Sequence, residues 1–91
     1  SSIGITIESG ENAGAHFELE VNFQTGNTIS MIVSKNEKEF VASLKPGTVL
    51  NNIQYYSPIA VFQGSGSVAE LTEIQTGPKK GDFSLDIKIE N

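Results

Sequence analysis

Hydrophobic and polar positions alternate with a period of two along most of this chain, which predicts strands. Ile3, Ile5 and Ile7 sit between Gly4, Thr6 and Glu8, the pattern of a half-buried strand. After a loop at Ser9–Asn12, Phe17, Leu19, Val21 and Phe23 alternate with His16, Glu18, Glu20 and Asn22. Gln24-Thr25-Gly26-Asn27 reads as a tight turn, because Gly and Asn accept positive φ. Ile29, Met31 and Val33 then alternate with Thr28, Ser30 and Ile32, so residues 15–34 predict a hairpin.

Beyond the charged turn Lys35–Lys38, Phe40, Ala42 and Leu44 suggest a short strand, although residues 35–45 are also the one stretch that tolerates a helical turn. Lys45-Pro46-Gly47 has the residues of a type II turn. Residues 48–56 predict a strand with Val49, Ile53 and Tyr55 on one face, broken by Ser57-Pro58. Ile59-Ala60-Val61-Phe62 is apolar on both faces, as in a covered strand, and Gly64-Ser65-Gly66-Ser67 reads as a flexible loop. Strands follow at 68–75 and, after a turn at Gly77–Gly81, at Phe83–Ile89. About eight short strands with regular turn signals predict an all-β fold: an antiparallel β-sandwich, Greek-key or jelly-roll-like, of seven or eight strands. Length allows a single domain, residues 1–91.

Composition agrees. Ten Ile, six Val, six Thr and five Phe outweigh the helix formers Ala and Leu, at five each. The chain has no Cys, so neither disulfides nor thiolate-bound metal holds the fold. Net charge is −5, and all six cations are Lys. Without Arg, the residue best suited to bidentate phosphate recognition, an acidic domain is a poor partner for nucleic acid or anionic membrane. No apolar run reaches the ~20 residues of a membrane span, and nothing in residues 1–20 reads as a signal or transit segment. Localisation is left open.

Candidate catalytic chemistry is thin. His16, the single imidazole, shares an outward face with Glu18 and Glu20, which reads as a solvated polar face before it reads as a metal or acid–base site. No Gly-x-Ser-x-Gly elbow, phosphate-cradling loop or zinc spacing occurs. The loops Ser9–Asn12 and Asn36–Glu39 hold oxygen ligands but lack the acidic alternation of a calcium loop. The expectation is therefore no enzyme, no metal and no cofactor, with a small hydrolase ranked last.

Apolar residues at outward positions point to a surface instead. Alternation puts Tyr56 opposite Tyr55 and Phe62 opposite Val61, and it turns Ile32 away from the core. Such a set marks a contact surface. The sequence thus predicts a binding or assembly module that associates with itself, as a dimer or higher oligomer, or with another protein, through Ile32, Tyr56 and Phe62. The alternative is a lectin-like carbohydrate site built from Tyr56 with the amides of Gln54 and Gln63, supported by Asn51 and Asn52.

Overall fold

The computed structural model describes residues 1–90. Its elements are β1 (Ser2–Thr6), β2 (His16–Glu20), β3 (Phe23–Thr25), β4 (Thr28–Val33), α1 (Lys38–Ala42), β5 (Val49–Tyr56), β6 (Val61–Glu73) and β7 (Phe83–Glu90). The strands form one antiparallel seven-stranded sheet in the order β2-β1-β5-β6-β7-β4-β3. The all-β expectation holds, but the architecture is a single curled sheet, a half-barrel, where a two-layered sandwich was expected.

The curl is visible in two consecutive residues. β2 and β3 lie at opposite edges of the sheet, yet only Val21 and Asn22 separate them in sequence. Val21 N–H donates to Ser1 O at 2.9 Å, on the β1 side, and Asn22 N–H donates to Ser30 O at 2.9 Å, on β4. The Asn22 carboxamide oxygen also accepts from Ile32 N–H at 3.1 Å. The two edges are therefore neighbours in space. The run that reads as one strand over 17–23 is two strands with a corner between them.

The inner face of the curl carries the core. Ile3, Ile5, Ile29, Met31, Val33, Leu50, Ile53, Val68, Leu85 and Ile87 are buried there, with Phe17, Leu19 and Val21 packed half-buried against them. No polar or charged residue is buried among those described. One end of the curl is plugged by α1, where Phe40 and Leu44 are fully buried. The Phe40 ring stacks on Phe17 with centroids 3.8 Å apart. Residues 38–42 are thus helical and not part of an alternating strand: Phe40 in the helix and Leu44 just beyond its C-cap, positions i and i+4, come to the same side. Asn12 fastens this plug by donating to Ser43 Oγ and Glu39 O, each at 3.2 Å. Gly47, at φ 90°, makes the turn that leads from the plug into β5.

Two β-bulges correct the face assignments. Leu50 pairs with Gly66 but Ile53 with Gly64, so β5 carries one extra residue. One extra residue inverts the alternation, which buries Leu50 with Ile53 and leaves Val49 58% exposed. The Glu8 carboxylate fills the bulge, accepting from Asn51 Nδ2 at 2.8 Å and from the Asn51 backbone N–H. A second shift, between Val68 and Glu70, does the same for β6.

The glycine-serine run 64–67 lies inside β6, with no loop there. A Cβ on Gly66 would stand 2.3 Å from Lys88 O, and Ser65 Oγ donates to Glu90 O at 3.0 Å. These glycines serve close backbone approach in a strand, the other common reason for Gly. The strands expected at 59–62 and 68–75 accordingly merge into one, and Ile59 is 92% exposed in the turn before it. No described helix is long and apolar enough to cross a membrane.

Candidate functional site

The end of the half-barrel opposite α1 is not plugged. Here β5 passes into β6 through residues 57–60, and β3 passes into β4 through Gly26-Asn27, with Gly26 at φ 60°. Between these two hairpins lies a cleft of about 580 Å³. The register explains its composition. Leu19, Ile3, Tyr55 and Phe62 are successive partners across β2, β1, β5 and β6, so they share the inner face. Along that row burial runs out: Ile3 is fully buried, Tyr55 is half-buried, and Phe62 is 57% exposed at the lip.

Phe62 therefore does not share the face of Tyr56. Antiparallel partners point to the same side, and Phe62 partners Tyr55, while Tyr56 partners Ser2 and Val61 on the outer face. Both residues line the cleft, as does Gln63, with Tyr56 and Gln63 contributing from its outer rim. Gln54 stands beside it and accepts a hydrogen bond from the Tyr56 hydroxyl. Ile32 belongs elsewhere: it lies half-buried on β4, paired with Ser84. Of the five residues singled out from the sequence, Tyr56, Phe62 and Gln63 come together, Gln54 supports one of them, and Ile32 is apart. Asn51 and Asn52 sit off the cleft, in a shallow depression with Gly64 and Glu90.

The deeper lining is Tyr55, with Ile3, Val21, Ile29 and Ile89 as apolar walls and Gln24 and Asn27 on the β3–β4 turn. Burial raises the Tyr55 pKa by desolvating the phenolate, and its hydroxyl is buried with no hydrogen-bond partner. No lining residue has a charged side chain, although 19% of the chain is charged. A sequence signal for this end exists in the absence of charge: residues 21–34 and 46–69 contain no Asp, Glu or Lys. Those two runs are the two hairpins of the cleft.

His16 lies outside the cleft. Its ring and that of Tyr56 cover Gly4 on the outer face, where a Cβ would stand 2.9 Å from His16 Cε1 and 3.3 Å from Tyr56 Cε2. His16 Nδ1 is 3.0 Å from Thr6 Oγ1, and Ser2 Oγ donates to Glu18 at 3.2 Å. No cluster of three or more metal-ligating side chains occurs among the described residues. The fold and the cleft together define a class: a small half-barrel, plugged at one end and open at the other. Comparison of the chain with protein-family models, with curated proteins and with solved structures returns no match.

Proposed function

We propose that this chain is a non-catalytic binding module whose working surface is the open end of the half-barrel. The observation that carries the reading is the cleft of about 580 Å³, lined by no charged side chain, with Ile59, Val61 and Phe62 exposed on the hairpin at its lip. Ligand pockets typically measure ~300–1,000 Å³ and are mostly apolar with a few convergent polar groups. Large apolar side chains gathered in water mark a contact surface. The lining offers no carboxylate, imidazole or amine side chain to act as a general acid or base. The test uses Nile red, an uncharged apolar dye. Its emission should rise on binding to the native chain, fall back in Phe62→Ser, and stay high in Val49→Ser at the plugged end. A native chain that leaves the dye unchanged removes the reading.

Ile59, 92% exposed, favours a second reading, self-association. Copies carrying −5 each repel one another, and the uncharged hairpin at residues 57–63 is a place where two can meet without that penalty. A closed two-fold dimer is then the default. Light scattering at micromolar concentration should find a dimer for the native chain and a monomer for Ile59→Lys. A native monomer ends this reading and leaves the first intact.

A further inference from the structure

We infer that the cleft at the open end receives the end of an uncharged carbohydrate chain, an inference that rests on the binding-module reading. Four features converge on that class. The first is charge. An anionic ligand calls for Lys or Arg and a cationic one for a carboxylate, and the lining has none of these side chains. The occupant is therefore neutral.

The second is hydrogen bonding. Gln24 and Asn27 at the β3–β4 hairpin bring two carboxamides to the cleft, each able to donate and to accept, and Gln63 stands at its outer rim. Among the described residues, neither the Asn27 nor the Gln63 side chain makes a hydrogen bond, and Gln24 makes only a 3.4 Å contact to Gly26 O. A purely apolar ligand would strip water from these groups without replacing it, which opposes binding. A sugar hydroxyl replaces it, since it too donates and accepts.

The third is shape. Tyr55 and Phe62, partners on the inner face, present two rings to the cleft, and the C–H face of a pyranose packs on an aromatic ring as other apolar groups do. The fourth is the orphan hydroxyl of Tyr55. Buried polar atoms in native proteins almost always have a partner. The Tyr55 ring lines the cleft while its hydroxyl is closed to water in this conformation, so a rotation of the side chain on ligand entry would give the unpaired group its partner. Charged ligands fail the first requirement, an apolar ligand fills the cleft without pairing its carboxamides, and a neutral sugar meets all four.

The chain has two Tyr and no Trp, and both tyrosines line the cleft, so intrinsic fluorescence reports occupancy. The experiment titrates the native chain with lactose, maltotriose, cellotriose and mannotriose, and with sialyllactose and a heparin tetrasaccharide as charged counterparts. At least one neutral oligosaccharide should bind saturably, with Kd about 1 mM or tighter. Tyr55→Phe should weaken it about tenfold without lowering Tm, and Asn27→Ala should weaken it as well. Three results would overturn the inference: no neutral sugar saturates, the charged glycans bind as tightly as the neutral ones, or Tyr55→Phe binds unchanged. Nile red binding without sugar binding discards the sugar and keeps the binding module. Binding of neither discards both.

Discussion

The Tyr55 hydroxyl is the one buried side-chain oxygen or nitrogen without a partner among the described residues, and it makes this residue the sharpest test of the molecule. Removing an unsatisfied buried hydroxyl relieves its desolvation penalty, so Tyr55→Phe should stabilise the free protein by about 1 kcal/mol, read by urea unfolding. Its pH dependence has a definite sign. Burial raises the folded-state pKa, so the folded protein holds the phenolic proton more tightly than the unfolded chain, whose tyrosines titrate near 10. That contribution is complete below pH ~10 and is lost as pH rises through the higher folded value. Native protein should therefore lose stability above pH ~10 more steeply than Tyr55→Phe, and ultraviolet titration should show a tyrosine ionising late. Gly66 is a second residue with a fixed requirement. Because its Cβ would meet the Lys88 carbonyl oxygen at 2.3 Å, Gly66→Ala must move backbone, at about 2–3 kcal/mol by denaturation.

At the scale of elements, periodicity located most strands and failed where an extra residue or a helical turn intervened. β1, β4 and β7 carry no bulge, and apolar positions on their inner face are buried: Ile3 and Ile5, Ile29 with Met31 and Val33, Leu85 with Ile87. β5 and β6 each carry a bulge. Alternation cannot show a bulge, because the pairing that defines it lies in another strand. Position in the sheet grades the energetics further. Leu85 is fully buried on the interior strand β7, while Leu19 is half-buried on the edge strand β2. Leu85→Ala should cost about 2–5 kcal/mol, and Leu19→Ala measurably less in the same urea series; equal losses would mean that β2 is better covered than the structure has it. Phe40→Ala in α1 removes the plug's stacked ring and should cost about 3–5 kcal/mol, more than an exposed five-residue helix could.

For the whole molecule, the decisive feature is the corner at Val21-Asn22, which joins the two edges of the sheet and turns it into a half-barrel with ends. Asn22 holds the corner through its backbone bond to Ser30 and its side-chain bond to Ile32 N–H. Asn22→Ala should lower stability by about 1 kcal/mol and accelerate hydrogen exchange at the Ile32 amide, whereas Asn22→Asp, which keeps the acceptor, should protect that amide. Unchanged exchange in Asn22→Ala would show that the corner does not depend on this side chain. The open end depends on the same curl. The uncharged runs 21–34 and 46–69 become one surface only because the corner brings the β3–β4 and β5–β6 hairpins to the same end.

The sequence by itself determined that the chain builds β-structure around Ile, Val, Leu and Phe, because a period of two is a local property that each strand carries in its own residues. It likewise fixed the polar outer face of β2 and put Tyr55 and Tyr56 on opposite sides of β5. Only the tertiary structure decided that one sheet curls in place of two that stack, since the corner at Val21-Asn22 is defined by hydrogen bonds to Ser1 on one side and Ser30 on the other, and alternation runs through it without a break. It also decided which face Phe62 takes, through its pairing with Tyr55. The cleft was fixed at the same level: its lining comes from separate stretches of chain between Ser1 and Ile89, and no local pattern can show where such stretches converge.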